Sequence, residues 1–324
     1  MKISLLPAAA ALLLAGTGCG SRSAAPAPEP IRLIVETDMG NDIDDALALD
    51  LLYKGMDAGH IRLIGVSLNK RSSTSFEFID LMNTWYGYPD IPIAYTPRAV
   101  DNKDRDYTKP GSWEDPVAMY RRLLAAEPDN SVVVVSVGFS GNLAALLASG
   151  GDDVSPLTGR ELVARKVKYF SVMAGSFGVK KRAEYNVIND IPAARKFFAE
   201  CPSPIVLTPF EIGKQVVYPG RSIAEDFGWA EHHPMVEAYK AYHEMPYDRP
   251  TWDVIATYYV LPHEPSSLTL SIPGRITVDE QGFIFFTPDK AGQHRYITAS
   301  DRQAGMILGY FLRALPERPL RYMR

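Results

Sequence analysis

From Ile31 onward, short apolar runs alternate regularly with longer amphipathic stretches, and this alternation constrains the fold more than any other feature of the sequence. Continuous runs rich in β-branched residues predict buried strands, whereas amphipathic stretches with a period of about 3.6 residues predict helices. Strands that are apolar on both faces are typical of an open, mostly parallel, Rossmann-like α/β sheet flanked by helices. The predicted strands are 31–35, 61–68, 91–95, 132–137, 167–173 and 205–207, and the predicted helices are 43–52, 76–86, 116–126, 142–148 and 192–200.

The last quarter of the chain departs from this alternation. The elements predicted there are a helix over 252–260, a β-hairpin over 275–286 and a closing helix over 300–315. No internal repeat is present, and no Pro/Gly-rich linker divides the sequence after residue 30. We therefore expect residues 31–324 to form one domain, with ligands bound at the carboxyl ends of its strands.

The N-terminal segment does not belong to that domain. Lys2 precedes an apolar run at 5–15 that is too short to span a membrane, and small residues then lead to Cys19. This arrangement resembles the cleavage box of a bacterial lipoprotein, so residues 1–18 are predicted to be a signal peptide and Cys19 the lipidated first residue. Residues 19–30, rich in Ser, Ala and Pro, predict an extended tether.

The signal peptide predicts that the protein resides in a bacterial cell envelope. Residue 20 is Gly and not Asp, so the inner-membrane retention signal known for some lipoproteins is absent. The expected location is therefore lipid-anchored at the outer membrane, or periplasmic if the signal directs plain export.

Composition excludes several other classes of protein. With 46% hydrophobic and 22% charged residues, the 324-residue chain is ordinary for a globular protein and unlike a disordered one. Its formal net charge of −4 and its lack of a Lys/Arg run give no indication of nucleic-acid binding. Two cysteines cannot form a disulfide scaffold, and with Cys19 lipidated, Cys201 is expected to be a buried packing residue.

The strongest chemical signal is an acidic cluster directly after the first predicted strand. Five carboxylates fall within ten positions there, namely Glu36, Asp38, Asp42, Asp44 and Asp45. Helix capping accounts for one or two of them, but like charges at this density require a neutralising partner. Because carboxylate ligands favour Ca²⁺ or Mg²⁺, the cluster predicts a divalent-cation site.

Three acidic patterns from known proteins can be compared with this cluster. An EF-hand loop fails because no frame supplies both its glycine and its final glutamate. A haloacid-dehalogenase-type phosphatase is disfavoured because Glu36 occupies the position of its nucleophilic Asp. Segment 36–46 instead resembles the Asp-x-Asp-x-Gly-x-Asp-Asp-Ala signature of the inosine–uridine-preferring nucleoside hydrolases. Glu36 replaces the first Asp, and two extra residues, assigned to positions 41 and 42, precede Asp44 and Asp45.

This resemblance implies a role for each acid of the pair and for the acid before them. Asp38 and Asp45 would be calcium ligands, and Asp44 would be the general base that activates water and contacts the ribose. If the two extra residues lie elsewhere in the alignment, Asp42 takes one of these roles.

Two further segments resemble the same family in its order along the chain. Segment 60–69 resembles a second strand that ends in a ribose-binding Asn, here Asn69. Segment 134–145 resembles the family's Gly-Pro-Leu-Thr-Asn-Leu-Ala block, in which Val137 would offer its backbone carbonyl to the metal.

The next two matching segments complete the implied site. Segment 172–194 carries Glu184 and Asn186 in register with family residues that hold ribose hydroxyls. Segment 249–258 places Asp253 as the last metal ligand. The resemblance therefore extends over nearly all of residues 31–260 and implies the nucleoside hydrolase fold with bound Ca²⁺.

One substrate-binding position departs from the pattern. Trp252 stands where purine-active members carry a His just before the final metal-binding Asp, and segment 178–183 lacks the Asn of the family's corresponding loop. Trp can stack on a base or sugar, but it cannot donate its ring proton at a catalytic cost. The acid that protonates the leaving base would then be missing, or it would come from elsewhere, with His243 and Tyr247 as candidates.

The resemblance implies calcium-dependent hydrolysis of the N-glycosidic bond of ribonucleosides, releasing base and ribose. A non-catalytic, calcium-dependent nucleoside- or sugar-binding lipoprotein, a hydrolase of another riboside and a metal-dependent phosphatase stay open as alternatives. The expected partner is a small-molecule nucleoside or riboside and not a nucleic acid. Membrane contact is expected through the lipid anchor only, and homo-oligomerisation is left open.

Overall fold

The computed structural model describes residues 29–100 and 114–323, so the predicted signal peptide, Cys19 and most of the predicted tether lie outside it. The strands are β1 (Ile31–Thr37), β2 (Ile61–Lys70), β3 (Ile93–Val100), β4 (Val132–Ser136), β5 (Val167–Val172), β6 (Ile205–Leu207), β7 (Val217–Tyr218), β8 (Arg249–Pro250), β9 (Thr269–Leu270), β10 (Gly274–Val278), β11 (Ile284–Pro288) and β12 (Arg295–Thr298). The helices are α1 (Asp44–Asp57), α2 (Ser73–Tyr86), α3 (Pro116–Ala126), α4 (Gly141–Ala148), α5 (Gly159–Lys166), α6 (Tyr185–Ile188), α7 (Ile191–Glu200), α8 (Phe210–Gln215), α9 (Gly220–Glu225), α10 (Pro234–Tyr242), α11 (Trp252–Val260) and α12 (Asp301–Ala314). None of these helices is long and apolar enough to cross a membrane.

The largest sheet in the described residues has eight strands in the order β3-β2-β1-β4-β5-β6-β12-β9. Neighbouring strands from β3 to β12 are parallel, and β9 pairs antiparallel with β12 at one edge. The chain runs outward from β1 to β3 and then returns to place β4 on the other side of β1. This topological switch point opens a crevice at the carboxyl ends of β1 and β4. The predicted mostly parallel α/β fold is confirmed.

Helices cover both faces of the sheet, which explains why its strands are continuous apolar runs in the sequence. Along β1, Leu33 and Val35 belong to the core on one face and Ile34 to the core on the other, and all three are buried. Helices α1, α2, α10 and α11 contribute to the first core, and α3, α4, α5 and α7 contribute to the second.

Most predicted elements form with small shifts at their ends. Strand 205–207 and helices 116–126 and 252–260 coincide with β6, α3 and α11, and β10 pairs with β11 as the predicted hairpin. Several short elements were not predicted, including α5, α8, α10 and β12. With six residues, α8 is too short for its apolar period to stand out, and tertiary packing supplies most of the stability of such a short helix.

Candidate active site

A cavity of about 470 Å³ opens at the carboxyl ends of β1 and β4, where the strand order reverses. Five aspartates line it, namely Asp38, Asp42, Asp44, Asp45 and Asp253. The first four come from the segment after β1, and the fifth comes from the start of α11, more than two hundred residues later. The topology therefore gathers at one point the acids that the sequence separates.

Asp38 directly follows β1 and begins the turn that leads into α1. Gly40 has a φ of +94°, in the left-handed region that residues with a Cβ rarely adopt, so the chain can reverse here. The backbone N–H of Asn41 donates to the Asp38 carbonyl at 3.2 Å, and its side-chain amide donates to the Asp38 carboxylate. This turn holds the Asp38 carboxylate at the switch point with 3% of the residue exposed.

Two helices begin at the cavity and present the other inner acids. Asp44 and Asp45 lie in the first turn of α1, and Asp253 lies in the first turn of α11, which packs against α1. The Asp44 carboxylate accepts a hydrogen bond from the Asp253 backbone N–H at 2.9 Å, and the Thr37 hydroxyl donates to Asp45. Because a helix N-terminus has unpaired N–H groups and a positive partial charge, both helix starts favour carboxylates.

Burial and mutual repulsion raise the pKa of these four inner aspartates. Burial raises the pKa of Asp38 from 3.8 to about 6, opposed mainly by the hydrogen bond from Asn41. Burial first, and neighbouring carboxylates second, hold the pKa of Asp44, Asp45 and Asp253 well above the usual range. The four acids are therefore close enough to destabilise one another's charged forms.

The chemistry of these residues fits a divalent cation. Atom Oδ2 of Asp45 is buried and has no hydrogen-bond partner among the described residues. Clustered carboxylate oxygens are hard donors that suit Ca²⁺ or Mg²⁺, and a cation would offset the repulsion between them. Within 29–100 and 114–323, no three Asp, Glu, His or Cys side chains are already arranged around a common metal position. Instead, Asp38, Asp42 and Asp45 each accept a hydrogen bond from a protein side chain.

A second group of predicted site residues lies across α6 and the end of β4. Glu184 accepts a hydrogen bond from the Asn186 backbone N–H at 3.0 Å, and Nδ2 of Asn186 donates to the Val137 carbonyl at 2.9 Å. All three residues line the cavity. Burial raises the pKa of Glu184 to about 8, and its Oε2 atom is buried with no partner among the described residues. A carbonyl oxygen has two lone pairs, so the Asn186 bond leaves Val137 one for a cation.

Asn69, predicted to contact the ribose, lies beneath the cavity lining. It is 2% exposed, and its Nδ2 donates to the Phe139 carbonyl at 2.8 Å. A Cβ atom added to Gly138 would come within 2.6 Å of both Asn69 Oδ1 and the Asp38 backbone nitrogen. The Asn69 amide therefore binds the segment that follows β4, where Gly138 lies close to both Asn69 and Asp38, and in this geometry Asn69 does not line the cavity.

Glu36, the residue that replaces the first Asp of the signature, also lies away from the cavity lining. It is fully buried, and its carboxylate accepts a hydrogen bond from the Tyr120 hydroxyl of α3 at 2.6 Å. Burial raises the pKa of Glu36 to about 7 against the opposing effect of that hydrogen bond. Its longer side chain thus connects the end of β1 to the helix on the opposite face of the sheet.

Trp252 lines the cavity together with Phe210 and Arg182. We call these three side chains the aromatic wall, because the two rings stack and the arginine packs on one of them. The Trp252 and Phe210 rings stack with centroids 5.4 Å apart and planes inclined by 28°, and the Arg182 guanidinium carbon lies 4.1 Å from the Phe210 centroid. Trp252 Nε1 donates to the Phe210 carbonyl at 3.0 Å, so its one polar hydrogen is already used. Trp252 can therefore form a stacking surface and donates no proton to a ligand.

The two residues considered as alternative acids do not line the cavity. The Tyr247 hydroxyl donates to the Tyr239 carbonyl at 3.0 Å, and the exposed His243 ring has its Nδ1 atom 3.3 Å from the Glu244 carbonyl. In this arrangement neither residue is placed to protonate a leaving group. Of the described residues that line the cavity, Tyr185 carries the one hydroxyl group, and its pKa is raised first by burial and then by the negative charge of Asp38.

Sequence reasoning missed three residues that shape the cavity: Arg182, Tyr185 and Phe210. Arg182 and Tyr185 lie within the predicted segment 172–194, where Tyr185 is in register with the Phe of the family's Glu-Phe-Asn, but neither residue was assigned a role. Phe210 begins α8, three residues after the end of β6, and as an apolar side chain it does not stand out among the polar residues that follow the other strands. An aromatic residue just after a strand end was the signal that could have identified it.

Comparisons with known proteins indicate the same family that the sequence pattern resembles. The sequence profile of the family described as inosine-uridine preferring nucleoside hydrolase matches residues 33–304. No curated protein sequence matches the chain at a significant level.

Several solved structures share the fold over most of their length. A plant nucleoside hydrolase, PpNRh1, is 21% identical with a TM-score of 0.65, covering 87% of this chain and 99% of its own. A purine-preferring ribonucleoside hydrolase from Gardnerella vaginalis is 16% identical with a TM-score of 0.64, covering 88% of this chain and 98% of its own. An inosine-uridine preferring nucleoside hydrolase from Bacillus anthracis is 15% identical with a TM-score of 0.64, covering 88% and 99% respectively.

At these identities the structural matches establish the fold, whereas the profile match over 33–304 establishes the family. The chain belongs to the inosine–uridine preferring nucleoside hydrolase family and is a hydrolase that acts on the N-glycosyl bonds of nucleosides.

Proposed function

We propose that this protein is a calcium-dependent hydrolase of ribonucleosides that releases a free base and ribose. The observation that carries the proposal is the convergence of five aspartates with Glu184 and Asn186 in one cavity at the topological switch point. Calcium is chosen over magnesium because Ca²⁺ accepts more oxygen ligands in more flexible geometry, which suits several carboxylates and a backbone carbonyl.

Each cavity residue has a distinct part in this proposal. Asp38, Asp45, Asp253 and the Val137 carbonyl would hold the cation, which when bound would supply Lewis acidity at the sugar end of the cavity. Asp44 takes the proton of the attacking water. Its position between the two helix starts, held by the Asp253 N–H, fixes the direction in which it accepts that proton.

Substrate positioning falls to the remaining residues. Glu184 and Asn186 are buried in the lining of the same cavity as the aspartates and would offer a carboxylate and an amide to sugar hydroxyls. Trp252 and Phe210 provide a stacking surface for the base. The glycosidic bond then breaks through a cation-like sugar, which the buried carboxylates stabilise electrostatically.

A panel of ribonucleosides assayed for release of reducing sugar tests the proposed activity. Free ribose from one or more nucleosides, lost on chelation and restored by Ca²⁺, is the expected result. Binding of nucleosides without any ribose release would overturn the proposal in favour of a non-catalytic binding protein. Release of phosphate from p-nitrophenyl phosphate, with no ribose release, would favour the phosphatase alternative.

We expect calcium to stabilise the protein, and to do so more strongly near neutral pH than in mild acid. Without calcium, native Asp38 (pKa raised from 3.8 to about 6) and Glu184 (from 4.5 to about 8) keep protons that the unfolded chain has lost. Their raised pKa values make stability fall as pH rises from about 4 to about 8, by about 1.4 kcal/mol per pH unit for each such proton.

Bound calcium would replace the proton of Asp38, one of its ligands in this proposal, and its positive charge would favour the ionised form of Glu184 nearby. At a free concentration of about 100 times its Kd it would add about 2.7 kcal/mol. The measurement is the Tm with Ca²⁺ and with a chelator, each at neutral pH and in mild acid. At the same calcium concentration, Asp45→Asn should reduce the calcium-dependent rise in Tm. Asp289→Asn, which changes a half-buried acid that follows β11 and pairs with Arg275, should retain it. An identical Tm with and without chelator at both pH values would contradict the calcium site.

We also propose that Cys19 anchors the mature protein to an envelope membrane through the 19–30 tether. The support is the sequence pattern before Cys19 together with the start of the first strand at Ile31. Expressed in a bacterium, the protein should fractionate with membranes. Cys19→Ser should prevent lipidation, so that the variant is found either in the soluble fraction or as a precursor that keeps its signal peptide. Soluble wild-type protein in the periplasm would instead support plain export.

A further inference from the structure

Arg182 is the one cationic residue among those that line the cavity in the described part of the chain. It is exposed, and its recorded contact is with the Phe210 ring, at 4.1 Å from the guanidinium carbon to the ring centroid. Arginine stays charged at any pH at which the protein is folded and presents its donors in a planar fork. Arg182 therefore brings a permanent positive charge and free donors to the edge of the aromatic wall.

A second arginine near this wall, Arg249, is ion-paired within the protein. Arg249 lies with its guanidinium carbon 5.7 Å from the Trp252 ring, and its Nε donates to Asp42 Oδ1 at 2.8 Å while Nη2 donates to Oδ2. This two-point ion pair compensates the Arg249 charge within the protein. Arg182 has no carboxylate partner among the described residues, so a charge on a ligand would be its counterpart.

The wall beside Arg182 offers little else to a polar ligand. Trp252 Nε1 is committed to the Phe210 carbonyl, and Phe210 has no side-chain donor. A base stacked on Trp252 would share the cavity with the Arg182 guanidinium, because Phe210 contacts both of these side chains. The anionic part of a ligand is thus expected on the base and not on the sugar, since the part of the cavity assigned to the sugar is lined by carboxylates.

From this geometry we propose that Arg182 is a specificity-determining residue that selects ribosides whose base carries a negatively charged group. This inference rests on the proposed function, because it assigns the substrate class of the same cavity. The guanidinium would donate charge-assisted hydrogen bonds to a carboxylate or an ionised ring oxygen on the base edge.

The test compares orotidine with uridine, which differ by one carboxylate on the pyrimidine ring. In the wild type, kcat/KM for orotidine should exceed that for uridine, and Arg182→Gln should lower the orotidine-to-uridine ratio by about tenfold, the effect of one charge-assisted hydrogen bond. Added salt should reduce the ratio in the wild type and leave it unchanged in Arg182→Gln. Lys181→Ala is the matched control, since Lys181 is the neighbouring cation, stacks on Phe285 and does not line the cavity.

Two results would overturn the inference. One is an orotidine-to-uridine ratio that Arg182→Gln leaves unchanged or that Lys181→Ala lowers equally. The other is a strong preference for uridine 5′-monophosphate that Arg182→Gln removes while orotidine is unaffected, because the cation would then serve a phosphate on the sugar.

Binding measurements separate this inference from the proposed function. Calorimetric titration of orotidine and uridine into Asp44→Asn, and into Asp44→Asn combined with Arg182→Gln, reports affinity in the presence of Ca²⁺ without turnover. Arg182-dependent binding of orotidine in a protein whose wild type releases no ribose would support the inference and reject the hydrolase proposal. Ribose release by the wild type, with orotidine binding that does not depend on Arg182, would support the hydrolase proposal and reject the inference about Arg182.

Discussion

Replacing Asp44 with asparagine is expected to lower kcat for ribonucleoside hydrolysis by roughly 10²–10⁴-fold, the range that general-base catalysis contributes. The amide cannot accept the proton of water, but its oxygen can still accept the hydrogen bond from the Asp253 N–H. One like charge also leaves a buried group of four acids, so the free energy of unfolding should not fall. Steady-state kinetics and thermal unfolding, measured on the same sample, check both halves of this expectation.

Two neighbouring acids provide the controls for Asp44. Asp45→Asn should weaken calcium binding itself, so that activity returns in part when the calcium concentration is raised. Asp42→Asn should have the smallest effect on kcat, because the Asp42 carboxylate is engaged by Arg249 at the edge of the cavity. If Asp42→Asn proves more damaging than Asp44→Asn, the family alignment around the two extra residues is wrong and Asp42 is the base.

Turnover is also expected to depend strongly on the quality of the leaving group. No acid equivalent to the family's His lies beside Asp253, and the Trp252 N–H is used by the Phe210 carbonyl. A p-nitrophenyl riboside, whose aglycone leaves as a stable anion, should therefore be cleaved faster than inosine by up to about 10²–10⁴-fold, the usual contribution of an acid catalyst. The ratio of the two rates should also stay constant at alkaline pH, because titration of Glu184, whose pKa is raised to about 8, affects both substrates alike and no acid serves the leaving base of inosine.

Inosine cleaved as fast as the activated riboside, with a rate that falls relative to that riboside's at alkaline pH, would show that a proton donor exists. Tyr185→Phe then becomes the decisive variant, since Tyr185 carries the one hydroxyl group among the described residues that line the cavity. His243→Ala and Tyr247→Phe should be silent because both residues lie outside that lining. Loss of this relative alkaline fall in either of these two would require a rearrangement of the segment between α10 and β8.

The sequence by itself determined the fold class and the family of this protein. The run 132–136 is almost entirely apolar, so both of its faces must be covered, and the regular alternation of such runs with amphipathic stretches favours a parallel sheet flanked by helices. The acidic run after β1 indicated a cation site because five carboxylates in ten residues cannot be explained by capping alone. Both signals lie within short segments of the chain, so they can be read from the sequence without knowledge of the tertiary contacts.

Only the tertiary structure decided which side chains face the cavity. Asn69 and Arg182 illustrate this in opposite directions, since Asn69 was predicted to touch substrate and lies beneath the lining, whereas Arg182 was not predicted and lies in it. The direction of Asn69 is set by the Phe139 carbonyl, seventy residues away, and the position of Arg182 by the Phe210 ring. Such partners come from different strands and loops, so no spacing along the chain encodes them, and the packed fold alone fixes where each side chain points.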